Sequence, residues 1–164
     1  GELIGYNTDA YGFESLLYYN KVDVKNKKVL ILGSGATSKT VKSVLLKLKA
    51  KEIYIVSRTP NKNTISYEQA HNIFDIDIIV NTTPVGMHPN EEDELIVDIQ
   101  KFPYLETVVD VIYNPLNTNL LSSTLPPLNW FFPPITSKTP YNSLFCIFSS
   151  SAPFISPIGV FNLN

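Results

Sequence analysis

The 164-residue chain is short of the residues on which several kinds of function depend. It has one cysteine, Cys146, so no disulfide can form within it. That thiol with two histidines, His71 and His88, cannot furnish the usual four-ligand structural zinc site, and no metal is expected. A reducing, cytosol-like compartment fits the thiol count. No apolar run nears the roughly 18 residues of a membrane span. The opening GELIGYNTDA has no basic stretch followed by an apolar one, so it does not read as a secretory signal. Lys/Arg-rich runs are also lacking. With 13 basic and 15 acidic residues and a net charge of −2, binding to nucleic acid or an anionic membrane is excluded as a main role. The only methionine is Met87 and the first residue is Gly1, so the chain is read as beginning inside a longer gene product. Charge itself runs out: beyond residue 121 only Lys138 is charged, while seven of the twelve prolines lie at or after Pro126. Residues 1–121 and 122–164 are therefore read as two kinds of sequence. The first is a folded domain, the second an atypical, proline-rich tail expected to carry little regular structure.

What is present in residues 1–121 is an alternation of strand and helix patterns, which argues for an α/β fold with a mostly parallel sheet and flanking helices. Phe13, Leu16 and Leu17 have helical spacing and predict a helix to about Tyr19. Lys28–Leu32 is a short apolar run that ends in glycines, as a buried parallel strand reads. Over 38–50, Val41, Val44, Leu45 and Leu48 fall on one helical face and most of the lysines on the others. A second apolar run, Ile53–Val56, completes a βαβ unit. Further strands are expected at 77–81 and 107–112, with a solvated acidic loop at 90–94. His88 reads as a surface residue, and the aromatic pairs Tyr18–Tyr19 and Phe131–Phe132 as packing residues.

Three turns between these elements carry the chemistry. Gly33, Ser34, Gly35, Ala36, Thr37 and Ser38 follow a strand and open a helix, where unpartnered backbone N–H groups and the positive dipole end suit a phosphate. Ser38 stands where the dinucleotide fingerprint has its third glycine. The plainer reading is a tight turn capped by Ser38 or Thr37. At the end of the second strand an NAD site places an acid on the ribose, whereas a 2′-phosphate needs cations and hydroxyls. Ser57, Arg58, Thr59 and Lys62 supply the latter, so NADP is expected over NAD; the plainer reading of Arg58 is a solvated surface arginine. Asn81 to Met87 closes a third strand with a polar, Pro- and Gly-containing loop suited to lining the same crevice, or simply to turning the chain. Asp9 is either a first-turn helix acid or a carboxylate facing a substrate hydroxyl, and Tyr113 is a candidate hydroxyl donor at the end of the last strand.

Taken together, GYNTDAYGF at 5–13, GSGATSK at 33–39, SRTPNK at 57–62, NTTPVGM at 81–87 and DVIYNPLNTNLL at 110–121 resemble the shikimate dehydrogenase family in order and spacing, over roughly three quarters of the chain. The resemblance implies an NADP-dependent oxidoreductase of aromatic amino-acid biosynthesis, cytoplasmic and acting on shikimate. This chain would supply its Rossmann-like, doubly wound cofactor domain, and a separate N-terminal domain would hold most of the substrate. It implies further that Asp9 is the active-site aspartate working with a lysine of that other domain. By the same match Gly33 to Thr37 form the diphosphate loop, and Ser57, Arg58, Thr59 and Lys62 clamp the 2′-phosphate. Val111 would touch cofactor and Tyr113 substrate, with Thr82, Thr83, Val85 and Met87 near the nicotinamide. The family's lysine has no counterpart here, so the isolated chain is expected to be inactive. Beyond Leu121 the family pattern stops, and the tail is read as diverged, poorly ordered or the product of a shifted reading frame. The rival readings are a non-catalytic NADP-binding module and a quinate-using relative.

Overall fold

The computed structural model describes residues 8–89, 96–112, 114–115, 118–124, 146–149 and 156–157. Helix α1 (Thr8–Tyr19) leads into strand β1 (Lys28–Leu32), helix α2 (Ala36–Lys47) and strand β2 (Glu52–Val56). A short helix α3 (Tyr67–Ala70) precedes β3 (Ile78–Asn81), and a 3₁₀ turn (Ile99–Lys101) precedes β4 (Thr107–Asp110). Helix α4 (Asn119–Ser122) follows, and then two short strands, β5 (Cys146–Ser149) and β6 (Ser156–Pro157).

The sheet order is β2-β1-β3-β4-β5-β6. The first four strands are parallel, with Leu32 opposite Val56 on one side and Asn81 on the other, and Asn81 in turn opposite Asp110. β5 adds antiparallel to β4, and β6 antiparallel to β5. Sequence pattern pointed to neither of these last two strands. The remainder of the tail, with Phe131 and Phe132, lies outside the described residues, as does the whole of the acidic loop at 90–94.

Parallel strands need both faces covered, and here alternate residues serve the two faces. Val29, Ile31, Ile78, Val80 and Val109 meet α1 and α2 through Phe13, Leu16, Leu17, Val41, Val44 and Leu45. Leu30, Leu32, Ile79 and Val108 meet the other layer through Ala70, Ile76, Val97, Phe102, Leu120 and Leu121. Val29 to Leu32 are wholly inaccessible, so each contributes about 1.5–3 kcal/mol and β1 is the centre of the core. The chain winds from β1 outward to β2, then returns past β1 to β3. In a sheet of this kind such a reversal marks where a ligand crevice lies, at the C-terminal ends of β1 and β3, and the three polar turns start at that end of the sheet, after β1, β2 and β3. Tyr18 and Tyr19 do not pack as expected. They are 81% and 67% exposed and touch each other edge to face, with ring centres 5.9 Å apart.

Candidate functional site

Gly33 is dictated by the fold itself. Its φ is +100°, and a Cβ there would come within 3.0 Å of Thr82 Oγ1 and Thr83 Cγ2, so any side chain would push the first and third turns apart. Its N–H donates to the Val56 carbonyl (2.9 Å), which ties the glycine turn to the end of β2. Ser34 Oγ lies 3.1 Å from Ser57 Oγ, and Ser57 Oγ accepts the Thr59 N–H (3.2 Å). These bonds, with the close approach of Thr82 and Thr83 to Gly33, gather the glycine turn, the end of β2 and the start of the 82–87 loop at one switch point.

Gly35 is a different case. It is the N-cap of α2 in an extended conformation (φ −77°), and a Cβ would meet nothing within 4 Å. No described residue requires glycine there, whereas a ligand approaching the backbone would. The cap is Gly35, not Ser38 or Thr37 as the plainer reading had it, because α2 starts at Ala36 and places both residues inside its first turn. No side chain caps the helix, and Ser34 to Thr37 are exposed, so the N-terminal backbone donors face outward. The residues fit a diphosphate.

Ser38, at the fingerprint's third glycine position, is 1% exposed, and its Oγ has no hydrogen-bond partner among the described residues. A small side chain is needed for close packing, but the hydroxyl is not. Ser38→Ala is expected to raise stability by about 1 kcal/mol, as the desolvation of an unpaired hydroxyl and a small helix-propensity penalty disappear. Urea unfolding checks this, and a loss of stability would mean that the hydroxyl is bonded in solution.

At the end of β2 the place of an acid is taken by Ser57, which is buried, while Arg58, Thr59 and Lys62 are exposed. Neither Arg58 nor Lys62 pairs with a described acidic residue. Arg58 acts on Tyr67, whose hydroxyl burial pushes up and the guanidinium pulls down. Two cations without an acidic partner among the described residues, beside a hydroxyl, suit a phosphate monoester.

In the third turn Asn81 is buried at the end of β3. Its Oδ1 accepts from the Thr83 N–H (3.0 Å) and hydroxyl (2.8 Å), and its Nδ2 donates to Asp110 Oδ1 (3.1 Å). Pro84 to Met87 form a turn closed by the Met87 N–H on the Pro84 carbonyl (3.1 Å), with Gly86 at φ +87°, the conformation a type II turn demands. Val85 is half-buried, and Met87 is 38% exposed. Val111 is half-buried against the α1–α2 core, and its N–H donates to the Asn81 carbonyl (3.2 Å).

Asp110 is the residue that sequence reading passed over. It is wholly inaccessible and accepts from Asn81, from the Ile112 N–H (3.0 Å) and from the Thr118 hydroxyl (2.7 Å). Burial pushes its pKa up, against the pull of those three donors. The signal was an acid inside the apolar run TVVDVI, which can be buried only with partners.

Asp9 sits in the exposed first turn of α1 and bonds to no described residue of the crevice, and Tyr113 lies outside the described residues. At the opposite end of the strands a depression of about 320 Å³ is lined by Asn26, Lys28, Lys51, Asp75, Asp77 and Tyr104. There Lys28 already pairs with Asp75 (2.7 Å) and Glu52 (3.3 Å), so its own charge is neutralised within the chain. Among the described residues no group of three His, Cys, Asp or Glu side chains could hold a metal, and no helix is long and apolar enough to cross a membrane.

No family model matches the chain. It is 40% identical over 130 residues to a shikimate dehydrogenase (NADP(+)) of Clostridium botulinum, covering 73% of this chain and 50% of that protein. Among solved structures it is similar to a chorismate mutase/shikimate 5-dehydrogenase fusion protein from Clostridium acetobutylicum. The TM-score is 0.68 and the identity 38%, over 73% of this chain and 46% of the other. It is also similar to a shikimate dehydrogenase in complex with NADP+, at a TM-score of 0.55 and 30% identity, over 73% and 47% of the two chains. The chain spans about half the length of the curated relatives it matches.

Proposed function

We propose that this chain is the nucleotide-binding half of a shikimate dehydrogenase, reducing 3-dehydroshikimate to shikimate with NADPH in the cytoplasm, on the route to aromatic amino acids. The observation that carries the reading is the meeting, at one switch point, of an uncapped helix start with a β2 end that bears cations where an acid would select NAD. Relatives at 35–40% identity are named shikimate dehydrogenase (NADP(+)), which supports the reading. Residues 1–121 act as the nucleotide domain and 122–164 as an appendage. Reading the other two frames of the coding DNA for the family's C-terminal pattern tests a frame shift as the appendage's origin.

The roles follow from position. Backbone N–H groups of Gly33 to Thr37 hold the diphosphate, and Arg58 and Lys62, with Ser57 and Thr59, hold the 2′-phosphate. Thr82, Thr83, Val85, Met87 and Val111 bound the ring end of the crevice. When bound, NADPH supplies a hydride to the substrate carbonyl. Asp9 orients the substrate hydroxyl and the acid that completes the proton transfer, which is a lysine of the substrate domain, and Tyr113 contributes a substrate contact. A non-catalytic NADP-binding module rests on the same crevice and on Asp9 having no bonded partner there. A quinate-using relative differs in substrate alone.

The separating experiment is a steady-state assay with shikimate and quinate. The chain alone is expected to bind NADP and oxidise shikimate negligibly, since positioning of the substrate supplies several kcal/mol of the barrier reduction and most of that positioning lies elsewhere. With the N-terminal half of a relative supplied separately, a rate should appear. Asp9→Asn should then lower it about 10²- to 10⁴-fold with NADP affinity unchanged. Turnover by the 164-residue chain alone would refute this division of labour.

A further inference from the structure

We propose that Thr83 meets the nucleotide's ring end as a hydrogen-bond acceptor and never as a donor, and so selects a carboxamide over a carboxylate there. The inference deepens the nucleotide reading above and rests on it.

The direction of every bond at this end of the crevice is forced. Asp110 Oδ1 receives the Ile112 backbone N–H (3.0 Å), so it is an acceptor, and Asn81 must turn its NH2 towards it (3.1 Å). That leaves Asn81 Oδ1 facing Thr83, where the Thr83 backbone N–H (3.0 Å) independently requires an oxygen. The Thr83 hydroxyl has one proton, and it goes to Asn81 Oδ1 (2.8 Å). One lone pair of that hydroxyl takes the Val85 N–H (3.3 Å), and the other remains. Thr82 is committed in the same way, since its hydroxyl can only donate to the Leu32 carbonyl (2.7 Å). Thr82 lies against Gly33 through its hydroxyl and Thr83 through its methyl group, and Thr83 is only half-buried.

A dinucleotide that puts its 2′-phosphate by Arg58 and its diphosphate at α2 must lay its other half on the β3 side of the crevice. A group that reaches the Thr83 hydroxyl meets its remaining lone pair. A carboxamide brings N–H donors to it, whereas a carboxylate brings only acceptors and leaves the threonine unpaired. Asp110 and Asn81 are then positioning residues that set the polarity of Thr83.

The test is calorimetric binding of three ligands to the full chain: NADP, its nicotinic-acid analogue and 2′-phospho-ADP-ribose, which lacks the ring. NADP is expected to bind about tenfold more tightly than the acid. Thr83→Val keeps the shape and removes the acceptor, and should reduce the ratio below about threefold. Thr83→Ser should preserve it, and the ringless ligand should bind all three proteins alike. The variant comparison cancels the extra charge of the acid. Equal binding of NADP and the acid by the unmutated chain, which requires no variant to fold, overturns the inference. An unchanged ratio in Thr83→Val does the same. In either case binding of the ringless ligand leaves the nucleotide reading standing, while its failure to bind refutes that reading and the inference together.

Discussion

Asp110→Ala is expected to cost about 2–4 kcal/mol of stability, measured by urea unfolding at neutral pH, because it leaves buried donors without an acceptor and opens a hole between β4 and α4. The Asn81 NH2 and the Ile112 N–H cannot turn to water, whereas the Thr118 hydroxyl can rotate. Offsetting part of the loss, the mutation removes a carboxyl whose burial is itself unfavourable, as its raised pKa records. Asp110→Asn should behave differently. Its Oδ1 can accept from Asn81 and Ile112 as before, and its NH2 faces a Thr118 oxygen able to accept, so the loss should stay within about 1 kcal/mol. The pH dependence separates the two variants further. A carboxyl whose folded pKa is raised contributes stability that is full below its unfolded value of about 4 and is lost as pH rises through the folded value. The wild-type chain should therefore lose ground to Asp110→Asn between about pH 4 and neutrality. A difference between the two that stays flat across that window would show that Asp110 is not buried as described.

The same residue marks where sequence reading stops. Periodicity locates elements whose side chains face a core. Phe13, Leu16 and Leu17 of α1 are buried as their spacing predicts, and β1 begins and ends at Lys28 and Leu32 as read. Periodicity is silent about which polar atom meets which. Asn81 and Asp110 stand 29 residues apart, and only the β3–β4 register places them side by side. Helix starts are blurred for a related reason. The apolar face of α2 begins at Val41, yet its backbone winds from Ala36, because the first turn serves the crevice and not the core. Tyr18 and Tyr19 were misplaced because their size suggested burial, while Leu16 and Leu17 had already filled the inward face of α1. The glycine turn was legible in kind. Only the folded structure separates Gly33, which Thr82 and Thr83 would crowd, from Gly35, which no described residue constrains.

Arg58→Ala should abolish most of the chain's preference for NADP over NAD, a change of about ten- to a hundredfold, if the proposed site is correct. Arg58 follows Ser57 directly, and the Thr59 N–H bond to Ser57 Oγ folds the chain back just beyond it, so its guanidinium stands at the rim with no described acid to compete for it. A planar guanidinium can give two parallel hydrogen bonds to a phosphate, and losing such a charge-assisted contact costs roughly 1.5–3 kcal/mol. Lys62 adds a point charge, so Lys62→Ala should cost less, and the double variant should bind the two nucleotides equally. NAD affinity should hardly move in any of the three, since the diphosphate site and the Ser34–Ser57 contact stay intact. Because both cations are exposed, the preference should also shrink as salt rises well above about 0.1 M, where screening acts over less than about 10 Å. Calorimetric titration of both nucleotides at two salt concentrations reads all of this. Equal affinity of the unmutated chain for NADP and NAD would remove the clamp, and with it the reason for preferring an NADP enzyme over an NAD one.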